Sequence, residues 1–124
     1  MELILIFLVA FILYGAFKYF RQKRYLTTLT EDQFVEGYRK AQLIDVREPN
    51  EFEKGHILGA RNIPLSQMKH RLVEIRKDKP VYLYCQSGAR SARAANMLNR
   101  KGCEDLNHLK GGFRKWTGKV KTKK

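Results

Sequence analysis

The chain has 124 residues, enough for one modest domain, and carries 25 Lys and Arg against 12 Asp and Glu, a net charge of +13. Two cysteines with no CxxC pair and no disulfide-rich spacing argue against a stapled scaffold and a zinc site, and favour a reduced, cytoplasmic setting. Residues 25–118 carry 17 of the basic and 11 of the acidic residues, so more than half the excess charge sits at the two ends; charge alone is no case for nucleic-acid binding, and no nucleic-acid motif is present.

Leu3–Phe17 (LILIFLVAFILYGAF) is uncharged and almost wholly apolar. At about 1.5 Å per residue it spans roughly 22 Å, and extension to Phe20 gives about 27 Å, close to a bilayer core of about 30 Å. A cleaved signal peptide begins with a basic region; here only Met1 and Glu2 precede the run, while Lys18, Arg21, Lys23 and Arg24 follow it. The expectation is an uncleaved, single-pass transmembrane helix over residues 1–20, in the membrane through 3–20. A basic junction over 21–25 then holds the C-terminal domain in the cytoplasm.

From there strands and helices alternate. Leu26–Leu29 reads as a short edge strand. Thr30 and Gln33 make a capping-box pattern before a helix near 31–40, with Phe34 and Tyr38 on one face. Gln42–Val46 (QLIDV) is a short buried strand, and EPNE turns the chain into a short helix near Glu51–Lys54. Gly55–Pro64 reads as a loop with one brief strand. Met68, Leu72 and Ile75 recur at helical spacing over 65–76. Val81–Tyr84 is the next buried strand. Ser91–Arg100 reads as a helix with Ala94, Ala95 and Leu98 inward and Gly102 as its C-cap. Leu106–Leu109 is a last strand, Gly111–Trp116 opens a short helix, and 119–124 is a basic tail, either solvated or drawn to anionic headgroups. The alternation predicts an α/β sandwich with a mainly parallel sheet over residues 26–118.

Cys85 stands where the Val81–Tyr84 strand ends and a helix follows, the place where open α/β sheets bind ligands. The small residues of CQSGAR let the backbone curl so that successive N–H groups face inward, a nest for an anion beside a helix N-terminus. The same field favours a thiolate, and Arg90 adds a positive charge or braces the loop. The assembly suits a nucleophilic sulfur attacking an anionic substrate. The bland alternative is a small buried hydrophobe. Cys103, after Gly102, reads as inert, with a resolving thiol as the lesser reading. Arg90 is five positions after Cys85, one residue shorter than the Cys-x5-Arg loop of cysteine phosphatases, and a shorter loop makes a smaller cradle. His56, His70 and His108 are scattered, and none neighbours the cysteine in sequence, as a cysteine-protease reading would require in space.

Leu43–Pro64 (LIDVREPNEFEKGHILGARNIP) resembles the rhodanese signature. Tyr84–Ser91 (YCQSGARS) resembles that family's six-residue active-site loop, and Leu109–Trp116 (LKGGFRKW) its C-terminal motif. The resemblance implies a rhodanese-like three-layer sandwich and a sulfurtransferase that needs no resident cofactor or metal. Cys85 would take a sulfane sulfur from a small anionic donor such as thiosulfate and pass it to a nucleophilic acceptor, a protein among the candidates. Gln86, Ser87, Gly88, Ala89 and Arg90 would cradle the persulfide. Asp45 and Arg47 would pair beside the loop, unless they are a solvated surface pair. Many family members have arginine directly after the cysteine; Gln86 stands there in this chain, which bears on thiosulfate preference. Phe113 and Trp116 read as packing residues. The competing readings are an anchored interaction or sulfur-sensing module with little turnover, and a phosphatase or arsenate reductase, which the short loop disfavours.

Overall fold

The computed structural model describes residues 1–122, and the side chains of all of these except 21–24. Lys123 and Lys124 of the expected basic tail lie outside the described residues, as do the side chains of Arg21, Lys23 and Arg24 in the expected junction.

Helix α1 covers Glu2–Tyr25. Its Glu2–Phe20 portion is long and apolar enough to cross a membrane and is not buried against the rest of the chain; a signal sequence meets the same test. The backbone stays helical across 21–25, where a junction was expected, because neither Gly nor Pro interrupts Lys18–Tyr25.

Strand β1 (Leu26–Leu29) leads into α2 (Glu31–Gly37). Thr30 Oγ1 accepts the Gln33 N–H while Gln33 Oε1 accepts the Thr30 N–H, the reciprocal cap that the sequence pattern predicts. One 3₁₀ turn follows, then β2 (Gln42–Asp45), α3 (Pro49–Lys54), β3 (His56–Ile57), β4 (Arg61–Asn62) and α4 (Leu65–Arg71). After a second 3₁₀ turn come β5 (Val81–Tyr84), α5 (Ala89–Lys101) and β6 (Leu106–Leu109). A 3₁₀ turn at Phe113–Lys115 and β7 (Val120–Lys121) complete the described chain.

The main sheet has the order β1-β6-β5-β2-β4 and every pairing in it is parallel. Alternation along β5 sends Val81 and Leu83 to one face and Tyr82 and Tyr84 to the other. On the first face Ile44, Val46, Leu83 and Leu106 pack with Met68 of α4 and Ala94, Ala95 and Leu98 of α5. On the second, Leu43, Tyr84 and Leu109 pack with Phe34 and Tyr38. Each fully buried aliphatic or aromatic side chain contributes about 1.5–3 kcal/mol. Two such layers fix the three strand ends at Asp45, Tyr84 and Leu109 side by side.

Three expectations need correction. Helix α5 begins at Ala89 and not at Ser91, because Gly88, with φ +122°, turns the chain into the helix two residues earlier. The Gly55–Pro64 segment holds two brief strands, not one. Residues 119–121 are not free tail: Lys121 and Val120 pair with His56 and Ile57 in a small antiparallel sheet, and Lys119 accepts the Leu58 N–H. The unpaired edge of β3 supplies those backbone partners, and composition does not reveal it.

Candidate active site

Cys85 follows the last residue of β5, and its thiol is enclosed, with 1% of the residue exposed. Gly88 donates its N–H to Sγ at 3.0 Å and Ser91 does so at 3.3 Å. Gly88, the N-cap residue of α5, has no side chain to cap it. The sulfur stands where a capping oxygen would, accepting one of the first-turn amides that have no partner inside the helix. The Ser91 hydroxyl lies 3.6 Å from Sγ.

The candidate residues of the loop divide by direction. Ser87 and Ala89 are exposed at the rim, and Gln86, Gly88 and Arg90 are half-buried. Gln86 turns its side chain to Arg47, whose Nη1 donates to Oε1 at 3.3 Å. Arg90 turns to Glu51 of α3 and donates to both carboxylate oxygens. That contact holds the Glu51 carboxyl at about 2, well below its ordinary 4.5.

Asp45 and Arg47 form a buried pair. Arg47 donates from Nε to Oδ1 at 3.0 Å and from Nη2 to Oδ2 at 2.7 Å, and its own backbone N–H also reaches Oδ1. The solvated-pair alternative is excluded, since Asp45 and Arg47 are 0% and 3% exposed. The Arg47 guanidinium also donates to the Gly55 carbonyl and lies 4.2 Å from the centre of the Phe113 ring. Asn62 Nδ2 donates to the carbonyls of Asp45 and Arg47, which keeps the turn after β2 in place. Burial, reinforced by Asp45, pushes the Tyr84 hydroxyl upward, so it stays a neutral donor and acceptor and receives the Ile57 N–H. An open cleft of about 350 Å³ beside the loop is lined by Arg47, Glu51, Lys54, Gly55, Gln86 and Phe113.

The C-terminal motif clamps the loop from behind. Phe113 donates its N–H to the Cys85 carbonyl at 2.8 Å, and Arg114 donates to the Gln86 carbonyl at 3.1 Å. Gly112, at φ +68°, lies so close that a Cβ there would stand 2.5 Å from the Cys85 oxygen. Trp116 packs edge-on against Phe34 and Tyr38; Phe113 stacks with Tyr84 and also lines the cleft.

Four participants carried no assigned role in the sequence: Glu51, Ser91, His108 and Gly112. Ser91 Oγ lies 2.9 Å from His108 Nδ1, and His108 Nε2 lies 3.0 Å from Thr28 Oγ1. The only sequence signal for His108 is its place on the strand next to the one that ends at Cys85, and that needs the strand order. His56 is structural, with Nδ1 bonded to the Phe52 carbonyl and its ring stacked on Phe52. Cys85 and Cys103 are both free, at opposite ends of α5.

The fold is an α/β domain whose candidate nucleophile sits at the carboxyl edge of a parallel sheet, under the amides of the following helix. Residues 30–119 match the family model for the rhodanese-like domain, and the chain belongs to that family. The Bacillus subtilis protein YqhL is 64% identical over 122 residues, covering 98% of this chain and 97% of its own. The thiosulfate sulfurtransferase GlpE of Shewanella oneidensis is 35% identical over 78 residues, 63% of this chain and 77% of that one. Among solved structures, a rhodanese-related protein from Thermoplasma volcanium superposes with a TM-score of 0.71 at 28% identity, over 77% of this chain and 97% of its own.

Proposed function

We propose that the protein is a membrane-tethered sulfurtransferase with Cys85 as the sulfur-accepting nucleophile. The observation that carries this is the pair of amides, Gly88 and Ser91, donating to an enclosed Sγ. Both donors converge on that sulfur, which faces a loop of small residues at a helix N-terminus, the arrangement a nucleophilic cysteine uses.

The Cys85 thiolate attacks the outer sulfur of thiosulfate. The S–S bond of the donor breaks with its electron pair, sulfite leaves, and Cys85 carries a persulfide. A nucleophilic acceptor then attacks the terminal sulfur, and the Cys85 thiolate is the leaving group. Amides of Gln86, Ser87, Gly88, Ala89 and Arg90 surround the terminal sulfur in this reading. Arg47 and Arg90 are each bound to a carboxylate, so their charges shape the loop more than they attract the donor. With Gln86 in place of arginine, a neutral side chain borders the cleft, which fits a persulfide donor as well as thiosulfate.

Leu3–Phe20 anchors the chain, and the basic residues that follow it hold the domain on the cytoplasmic side. Local delivery of sulfur to a membrane partner follows from that placement.

The test uses the full-length chain in detergent, incubated with thiosulfate and weighed intact, with Cys85→Ala and Cys103→Ala alongside. A gain of one sulfur atom, absent only in Cys85→Ala and discharged as thiocyanate by cyanide, is the expected result. Folded protein that gains no sulfur from thiosulfate or from a persulfide donor overturns the reading. Release of the full-length chain from membranes by alkaline carbonate would remove the anchor.

A further inference from the structure

Cys85, just past the end of β5, is connected to the edge of the sheet by an unbroken line of three side chains from three elements. Ser91 Oγ, in the first turn of α5, lies 3.6 Å from Cys85 Sγ; His108 Nδ1, on β6, lies 2.9 Å from Ser91 Oγ; Thr28 Oγ1, on β1, lies 3.0 Å from His108 Nε2. Thr28 and His108 are register partners in the parallel β1–β6 pair, so the backbone itself holds the last link. Cys85 and Ser91 are buried, His108 is half-buried, and Thr28 is exposed on the edge strand. The line runs from an enclosed sulfur to solvent.

We propose that His108 is a positioning residue that holds the proton of Cys85, acting through the Ser91 hydroxyl and exchanging with water at Thr28. This rests on the reading of Cys85 as the working nucleophile. In the resting arrangement the neutral imidazole carries its proton on Nε2 and donates to Thr28. Ser91 then donates to Nδ1 and accepts from the Cys85 thiol. In the transfer the S–H bond of Cys85 and the O–H bond of Ser91 break, while a new O–H bond forms on Ser91 and an N–H bond on Nδ1. Thiol and imidazole become thiolate and imidazolium, with no change of oxidation state.

The imidazolium loses its Nε2 proton to water at the Thr28 edge and becomes the Nδ1–H tautomer. That tautomer donates to Ser91 Oγ and turns the serine hydrogen toward Sγ, where it joins the amide hydrogens of Gly88 and Ser91. The Gly88 carbonyl, 2.9 Å from Ser91 Oγ, is a second acceptor for the same hydrogen. The tautomer of His108 therefore decides whether Ser91 receives from a thiol or gives to a thiolate. Burial lowers the imidazole's basicity, which suits a carrier that releases its proton readily.

The charged groups around the sulfur do not take this role. Arg47 is held by Asp45 and Arg90 by Glu51. At its register positions His108 faces Leu83 of β5 and Thr28 of β1, and from α5 it meets Ser91; none of the three is ionisable in the working range.

The test is alkylation of Cys85 by iodoacetamide, which reaches the enclosed sulfur through the loop whose rim residues Ser87 and Ala89 are exposed, in the full-length chain, in detergent, with Cys103→Ala to leave one thiol. Two coupled groups that share a proton give a rate profile with two inflections. His108→Phe should leave one inflection and slow the reaction at neutral pH about tenfold, the ratio one lost hydrogen bond supports. His108→Asn keeps an acceptor for Ser91 but cannot hold the proton; it should show the same single inflection and so separates the proton from any folding defect of the Phe variant. Combining it with Ser91→Ala should add nothing to Ser91→Ala alone. A His108→Asn profile that superimposes on the wild type overturns the proposal. Sulfur loading is followed in parallel. If no protein gains sulfur while His108→Asn still loses the second inflection, the sulfurtransferase reading falls and the proton path stands.

Discussion

Arg90 donates to both carboxylate oxygens of Glu51, at 2.7 and 3.0 Å, and so ties the first turn of the helix behind Cys85 to the short helix α3. Glu51 also accepts the Glu48 N–H at 3.1 Å. The same carboxylate therefore caps one helix and braces another.

The pair makes stability depend on pH in a defined direction. Arg90 holds the folded carboxyl at about 2, below the unfolded 4.5. Its contribution is complete above pH 4.5 and is lost as pH falls from 4.5 toward 2. Glu51→Gln should lower stability at neutral pH by about 1 kcal/mol or less, since the pair is one-third exposed. It should also flatten the acid limb. Thermal denaturation followed by circular dichroism across that window checks both; an acid limb as steep as in the wild type would refute the assignment.

Asp45→Ala should be far more damaging. It leaves the Arg47 guanidinium buried without its counter-charge, at a cost of about 3–5 kcal/mol. Exchange of Asp45 and Arg47 positions would not restore it, because the Gly55 carbonyl, Gln86 and Phe113 all contact the guanidinium where it now lies. Urea denaturation of the variants gives the difference.

Gly88 and Gly112 should respond differently to alanine. Both have positive φ, and each substitution carries a conformational cost of at least about 1 kcal/mol. At Gly88 nothing lies within 4 Å of the added Cβ. At Gly112 it would meet the Cys85 and Gln86 backbone at 2.5 to 2.6 Å, so the loop itself must move. Gly112→Ala should therefore lose sulfur acceptance even where folded protein remains, and intact mass after thiosulfate treatment measures it.

Cys103 should be silent in the native protein. It is 1% exposed, and burial raises its thiol pKa. Its alkylation should be at least about a hundredfold slower than in denatured protein, because reagent reaches it only through opening of the domain. Mass spectrometry of peptides from native and unfolded samples distinguishes the two rates.

Much of this architecture was legible in the chain itself. Local rules suffice for the Thr30–Gln33 cap, the β5 strand, and the positive-φ stop at Gly102, because each depends on neighbours within a few residues. The placement of Cys85 at a strand end follows from the same local pattern. Where local signals are weak the sequence underdetermines the fold: α5 starts at Ala89 on a glycine turn, and β7 forms by pairing with the distant β3.

The sequence by itself determined the alternation of elements, the apolar first helix and the cysteine loop, since periodicity, composition and turn chemistry are properties of contiguous residues. Tertiary structure alone decided which distant residues meet that loop. Glu51 reaches Arg90 across 39 positions, Gly112 backs Cys85 from the far side of α5, and His108 comes beside Ser91 because β6 lies between β5 and β1. Such contacts depend on strand order and register, which pairing through backbone hydrogen bonds establishes and which no single stretch of side chains encodes.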